Sequence, residues 1–351
     1  MKKILFTGGG SAGHVVPNLA IIDEILASGE ADVCYMGTDG IEKNLVSTRK
    51  IPYYEIACPK LIRGGSFSAL LKNVKIPFAF SRAVKQAEVG IKIFQPDLVF
   101  SKGGYVALPV IHAARRLRIP CLTHESDLSA GLANRLAAKK CHLVLTSFPE
   151  TAQHFKNGKY VGAPLRRSLF SSARLTARQQ YRIAPDENVL LVLGGGSGST
   201  AINQAVREHI KELTEFCTVL HICGKGNRVE SNLKNYIQEE FISDMGGAYA
   251  CADVILSRAG AGALFEIITL KKPSVLVPLS RASRGDQIEN AEYFRKQGLC
   301  RILPQENLQR LVPEIKKTFA DKELFIRLQE HEEINGTENI LAEIRKLLRP
   351  L

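Results

Sequence analysis

Apolar residues in this chain fall into short solid runs separated by longer stretches of helical periodicity. Ile4 to Phe6, Val33 to Met36, Tyr53 to Ala57, Asp97 to Phe100, Pro120 to Thr123 and Leu143 to Ser147 read as strands. Solid runs suit a parallel sheet, whose inner strands are buried on both faces. Between the first two runs, Leu19, Ile22, Ile25 and Leu26 recur at helical spacing and predict a helix starting near Asn18. Ile41 to Ser47 predict a second helix. Strand, helix, strand in this rhythm indicates βαβ units and a doubly wound α/β domain.

Glycines punctuate the strand ends. Gly8-Gly9-Gly10 break the first strand, and Ser11-Ala12-Gly13-His14 lead to the helix. A strand, a glycine turn and a helix N-terminus offer free N–H groups and a helix dipole to an anionic or strongly polar ligand. Gly8 to Gly13 satisfy G-x-G-x-x-G literally, but any glycine run does. Lys102-Gly103-Gly104-Tyr105 is a second glycine turn, and His124-Glu125-Ser126-Asp127 follow another strand. Ligands of open α/β sheets bind beyond the carboxyl ends of the strands, so these three segments should face one cleft.

Halfway along, Val189-Leu-Leu-Val-Leu193-Gly-Gly-Gly196-Ser197-Gly-Ser199 restates the opening pattern, offset by 186 positions. The helix Ala201 to Glu208, the strands Thr218 to Cys223, Asp253 to Leu256 and Ser274 to Val277, and a charged helix Glu338 to Leu348 follow. Two Rossmann-like domains in series is the economical reading. Proline and glycine at Tyr160 to Arg166 suit a linker. The expected division is 1–162, 163–335, and a terminal helix in 336–351 packing back on the first domain.

Bulk composition narrows the class. Hydrophobic residues at 45% and charged residues at 23% are ordinary for a soluble globular chain. No run reaches the roughly 18 apolar residues of a membrane span, and MKKILFTGGG is too short in its apolar part for a signal peptide. The 8 cysteines show no C-x-x-C spacing and read as reduced core residues of a cytoplasmic protein. A net charge of +12 favours anionic partners. Without zinc-finger spacing or an aromatic RNA-binding motif, nucleic acid is not the expected one. Residues 60–82 mix apolar side chains with five basic ones and no acid. That segment is either a loop and helix packed on the sheet or a patch for an anionic membrane surface.

Candidate chemistry lies at the strand ends. His14 and Asp127 are candidate bases, although His14 could only satisfy a hydrogen bond and Asp127 could only cap the helix through Leu132. In the second half, the turns at 194–199 and 258–262 offer N–H groups to phosphate. Glu266 is read as lying in the first turn of its helix, there to suit the dipole or to accept a ribose diol. Asp286 is read as the cap of the helix holding Gln287, and Arg166 as surface charge or a clamp on a diphosphate. No D-x-D pair and no His/Cys cluster has metal spacing, so no metal or other cofactor is expected. A departing diphosphate would then be stabilised by N–H groups, a helix dipole and arginine.

Several motifs recur in a familiar order: Gly8-Gly-Gly-Ser-Ala-Gly-His14, Lys102-Gly-Gly-Tyr105, His124-Glu125, Gly131 to Arg135, Gly162 to Arg166, Phe241 to Met245, Asp253 through Glu266, and Asp286 to Ala291. Together they resemble the bacterial UDP-N-acetylglucosamine–lipid I N-acetylglucosaminyltransferases of peptidoglycan synthesis, a two-domain GT-B family. The resemblance covers essentially the whole chain. It implies a GT-B fold, two Rossmann-like doubly wound domains facing across a cleft. It also implies inverting transfer of N-acetylglucosamine from UDP-GlcNAc to the 4-hydroxyl of the MurNAc unit of lipid I, giving lipid II.

Position by position, the resemblance implies that Ser11, Ala12 and Gly13 sit against sugar and acceptor, with His14 the family's histidine. Ile242 reads uracil, and Ala261, Gly262, Ala263, Leu264 and Phe265 belong to the turn at diphosphate and sugar. Glu266 takes the ribose, Gln287 the N-acetylglucosamine hydroxyls and Arg166 the phosphates. Segment 60–82 matches a membrane-association patch, placing the protein peripherally on the cytoplasmic membrane face, with cell-wall and division proteins as further partners. Two positions depart: Asp127 stands where many members carry Asn, and Gly196 where many carry Ser, so that contact moves to Ser197 or to backbone. The expected base is His14, with Asp127 and Glu125 as rivals. The other readings are a UDP-GlcNAc epimerase, a dinucleotide oxidoreductase and a non-catalytic sugar-nucleotide or membrane scaffold. Against the oxidoreductase, Asp23 and Glu24 come too early and only Asp39 ends the second strand.

Overall fold

The structure is a computed structural model and describes residues 1–59, 76–196, 198–279, 285–332 and 335–348. The expectations attached to 60–75 and to Ser197 lie outside the described residues. The chain forms two compact units, Met1–Arg166 with Asn335–Leu351, and Arg167–Ile334. Ala163 and Leu165 stay with the first unit because the returning chain binds them. Gly336 N–H donates to the Ala163 carbonyl at 2.7 Å, and Thr337 Oγ1 accepts from Leu165 N–H and donates to its carbonyl, both at 3.0 Å.

The first unit carries a seven-stranded sheet in the order β3-β2-β1-β4-β5-β6-β7. These strands are Lys2–Thr7 (β1), Ala31–Gly37 (β2), Tyr53–Glu55 (β3), Leu98–Ser101 (β4), Cys121–Glu125 (β5), Leu143–Thr146 (β6) and Gly158–Tyr160 (β7). Every pairing is parallel. Central β1 sends alternate side chains to opposite faces. Ile4 and Phe6 join a core with Leu19, Ile22 and Ile25 of the first helix and Ile340, Leu341 and Ile344 of the last one. Leu5 joins the opposite core with Val84, Ile91 and Val110. Each such side chain contributes about 1.5–3 kcal/mol on burial, so two covered faces hold the sheet.

The first helix is Ala12–Ser28, six residues longer at its start than the periodicity from Asn18 predicts. Its N-cap is Ser11, and Pro17 lies inside it, where it has no N–H to give the Gly13 carbonyl. Glycine and proline hid this first turn from a reading based on apolar spacing. As a result Gly13 and His14 are helical.

The second unit repeats the plan with six strands in the order β10-β9-β8-β11-β12-β13. They are Val189–Leu193 (β8), Thr218–Ile222 (β9), Tyr236–Glu239 (β10), Val254–Ser257 (β11), Ser274–Leu276 (β12) and Arg301–Ile302 (β13). All are parallel, and β8 is buried along its whole length. The sequence echo is therefore a topological repeat, β8 standing for β1 and β11 for β4. Strand order reverses between each of these pairs, which is where open α/β sheets open a crevice. Unforeseen β7, β10 and β13 are short strands at sheet edges, where polar residues replace the solid apolar run.

Candidate functional site

In the first unit the glycine turn, Lys102 and the Glu125–Asp127 segment follow the adjacent strands β1, β4 and β5. The inner side of the glycine turn already holds an anion. Glu42 is fully buried, and its carboxylate accepts Gly10 N–H at 3.2 Å and Thr38 N–H at 3.0 Å. A Cβ on Gly9 would come within 2.5 Å of that carboxyl carbon, so only glycine lets the carboxylate so close. This departs from the expectation of an anion-binding loop with its N–H groups all open to a ligand.

His14, half-buried in the first helical turn, places Nδ1 3.2 Å from the Lys102 carbonyl oxygen. A carbonyl only accepts, so Nδ1 carries the proton of that hydrogen bond, and any role as a base falls to Nε2.

Glu125, only 4% exposed, is committed to its own loop. One oxygen accepts Ser126 N–H at 2.8 Å and Asp127 N–H at 3.1 Å. The other accepts Gly131 N–H at 2.8 Å and Asn134 Nδ2 at 3.0 Å. These four donors tie the carboxylate into its loop as a scaffold. Asn134 also meets Gly103, where φ is +85° and an added Cβ would lie 2.6 Å from the Asn134 amide oxygen. Asp127 does not cap the next helix. That helix is Leu132–Ala138, its cap position is Gly131, and Glu125 holds the Gly131 N–H. Asp127 instead is half-buried, its N–H on Glu125 and its carbonyl accepting from the Thr151 hydroxyl at 3.3 Å.

Sequence reasoning missed Lys102 as a functional residue. It is 1% exposed, and its Nζ donates to Ser126 Oγ at 2.6 Å. Burial pulls its pKa down to about 8, against the opposing pull of the Glu125 and Asp127 carboxylates. The available signal was its place directly after the strand end Leu98 to Ser101 and before two glycines. His124 is buried beside it, held on the Gly162 carbonyl at 3.1 Å and kept neutral by burial and by Lys102.

In the second unit Gly195 and Gly196 are exposed, and Ser199 caps the helix Thr200–Glu208 by accepting Ile202 N–H. Arg258, also unforeseen, reaches Ser199 Oγ at 2.8 Å, Gln305 Oε1 at 2.7 Å and the Val277 carbonyl at 3.1 Å. It thereby ties the glycine loop after β8 to the end of β12. Glu266 is the sixth residue of the helix Ala261–Thr269, one turn beyond the first-turn position expected for it. Dipole stabilisation fades by there, which weakens the purely structural account of this carboxylate. The Tyr249 hydroxyl donates to its Oε2 at 2.9 Å and orients it.

Ala261, Leu264 and Phe265 are buried, so a ligand could meet them only through backbone, whereas Gly262 is exposed with open space beside it. Gln287 accepts Leu279 N–H at 3.1 Å, pinning the chain after β12, and its amide nitrogen lies 3.9 Å from a Cβ built on Gly260. Asp286 is the first helical residue there, and Gly285 holds the cap position expected of it. Ile242 is buried before the helix Met245–Cys251. Arg166, half-buried, ends the first unit. Thus Ser11 to His14 and Glu125 to Asp127 belong to one unit, and Gly196, Ala261 to Glu266 and Gln287 to the other. Among the described residues no three His, Cys, Asp or Glu side chains are grouped to hold a metal ion, and no helix is long and apolar enough to cross a membrane.

The family models that match the two parallel-sheet units define the class as a glycosyltransferase. Residues 4–146 match the glycosyltransferase family 28 N-terminal domain and residues 189–344 the family 28 C-terminal domain. A relative from Lachnospira eligens is 39% identical over 355 residues, covering 98% of this chain and 99% of its own. One from Clostridium novyi (strain NT) is 40% identical, covering 98% of each. Both are named UDP-N-acetylglucosamine--N-acetylmuramyl-(pentapeptide) pyrophosphoryl-undecaprenol N-acetylglucosamine transferase. The crystal structure of Acinetobacter baumannii MurG is 28% identical with a TM-score of 0.74, covering 99% of this chain and 100% of that one. The chain belongs to this family of N-acetylglucosamine transferases, and its fold is GT-B.

Proposed function

We propose that the chain transfers N-acetylglucosamine from UDP-GlcNAc to the 4-hydroxyl of the MurNAc unit of lipid I, with inversion, giving lipid II and UDP. Whole-length similarity to transferases of that name is the observation that carries this reading. In the step itself the acceptor oxygen bonds to the anomeric carbon as its proton passes to His14 Nε2. The bond from that carbon to the diphosphate oxygen breaks, and its electron pair leaves with UDP. Inversion needs a base on one face and a stabilised leaving group on the other. The Nδ1–H bond to Lys102 supports His14 as that base, and Asp127 is the rival.

Glu266, oriented by Tyr249, takes the ribose diol, and Ile242 borders the uracil. N–H groups of the 194–199 loop and of Ala261 to Ala263, with Arg166, meet the diphosphate charge without a metal ion. Gln287 reads the sugar hydroxyls, and Ser11 to Gly13 border the acceptor. The protein works as a peripheral enzyme on the cytoplasmic membrane face. In the helix Ile76–Phe94, Phe78, Val89 and Ile93 are 82%, 58% and 66% exposed beside Arg82, Lys85 and Lys92, as a surface for anionic lipid requires. The test is transfer of labelled N-acetylglucosamine to a lipid I analogue. A β-1,4-linked product with release of UDP is expected, and failure to form it overturns the assignment.

A further inference from the structure

We propose that Lys102 is a positioning residue of the transfer reaction, its charged ammonium holding the Ser126–Asp127 loop while its carbonyl orients His14. The inference rests on the transfer proposed above and deepens it. Lys102 directly follows β4, and its N–H reaches the Thr7 carbonyl at 3.0 Å, so its backbone extends the β1–β4 pairing beyond the strand ends. Its Cβ would lie 3.3 Å from a Cβ on Gly8, so the residue is packed against the glycine turn itself. From that fixed point its two polar ends go opposite ways. The carbonyl meets His14 Nδ1 at 3.2 Å, and the ammonium meets Ser126 Oγ at 2.6 Å. One residue therefore joins the expected base on the first helix to the loop after β5 that carries Asp127.

A lysine at 1% exposure is not accounted for by stability. Taking an ammonium out of water is costly, and an apolar side chain of similar length would generally serve a core as well. What the position provides is a positive charge among the titratable groups facing it: the Glu125 and Asp127 carboxylates, His124 on β5 and His14 on the first helix. Glu125 is bound by four donors, so the loop it organises is held in place beside the ammonium. Loss of the lysine proton leaves a neutral amine on Ser126 and two carboxylates without their counter-charge. The loop then loses its electrostatic hold.

The charge has a definite pH range, because burial draws the Lys102 pKa down to about 8. Turnover should therefore fall on the alkaline side with a midpoint near that value. Transfer to a lipid I analogue is measured from pH 6 to 10 for the wild type, Lys102→Met, Lys102→Arg and Ser126→Ala, with thermal unfolding followed by circular dichroism. Lys102→Met should lose at least about ten-fold in kcat with the KM for UDP-GlcNAc within about two-fold, the signature of an interaction that acts in the transition state. Lys102→Arg keeps a charge that does not titrate in this range and should move the alkaline limb upward. Ser126→Ala removes the acceptor that favours the ammonium and should move the limb downward. An unchanged limb in both Lys102→Arg and Ser126→Ala, or wild-type kcat in folded Lys102→Met, overturns the proposal while leaving the transfer reaction standing. A wild type that transfers no sugar overturns the reaction and the role of Lys102 with it.

Discussion

Replacing His14 by asparagine separates the two jobs its ring can do. The asparagine amide lies near the position of the imidazole Nδ1, so its NH2 can keep the hydrogen bond to the Lys102 carbonyl, which is 3.2 Å long in the wild type. It has no basic nitrogen in place of Nε2. A neutral hydrogen bond contributes about 1 kcal/mol, so His14→Asn should be more stable than His14→Ala by roughly that amount. Turnover should tell the opposite story. A positioned general base contributes about 10²–10⁴-fold, or about 2.7–5.4 kcal/mol of barrier, and both variants should lose all of it. Initial rates with a lipid I analogue at saturating UDP-GlcNAc give kcat, and titration calorimetry with UDP gives the donor affinity. The expected result is equal low kcat in the two variants with UDP affinity within about two-fold of wild type. If His14→Asn retains most of its turnover while His14→Ala does not, the ring serves only as a hydrogen-bond donor. Proton removal would then fall to Asp127.

Glu266→Ala should weaken UDP binding by about ten-fold, or about 1.4 kcal/mol, and unchanged affinity by calorimetry would refute the ribose assignment. Glu125→Gln presents an NH2 group to N–H donors that now point at a carboxylate, and should cost about 3 kcal/mol and lower the melting temperature of the full chain. An unaltered melt would show that the loop does not depend on this carboxylate. In the second unit His221 is buried between the Tyr236 hydroxyl and Asn203 Oδ1, each at 2.9 Å, and its pKa is pulled down to about 4 from 6.5 by burial. The folded form then binds this proton less readily than the unfolded chain, so stability present above pH 6.5 is lost as pH falls toward 4, by about 3 kcal/mol. Urea unfolding at pH 7 and pH 4 should show a smaller acid loss in His221→Gln than in wild type, and equal losses would contradict the burial argument.

The fold was readable because parallel strands need no alternation. Val189 to Leu193 is solid apolar residue after residue, and the glycine turn behind it repeats the one behind Ile4 to Phe6. What escaped reading is what depends on distant partners. Lys102, Glu42 and Arg258 are charged residues that a linear sequence presents as solvated, and their burial follows from strand pairing and from glycines elsewhere in the chain. Glu266 was placed one turn too early because Gly262 hid the first turn of a helix that already starts at Ala261. The first helix was placed too late because Pro17 carries the signal of a break and yet sits inside it. Glu125 looked like a candidate acid or base from its neighbours in sequence. Its four hydrogen bonds, one from a residue nine positions away, give it a different task.

The last helix, Thr337–Leu348, has a consequence for how the polypeptide comes into being. The second unit is inserted in the first, and Ile340, Leu341 and Ile344 complete a core begun by Ile4 and Phe6. During synthesis from the N-terminus, β1 to β7 emerge long before the last helix, which shares with the first one the cover of one face of their sheet. The part of that face under Ile340, Leu341 and Ile344 stays open to water, and to wrong partners, while the whole second unit is made. The inserted unit, Arg167–Ile334, holds its own sheet and core and can close first. The half of the enzyme that is translated first is thus the half that finishes folding last.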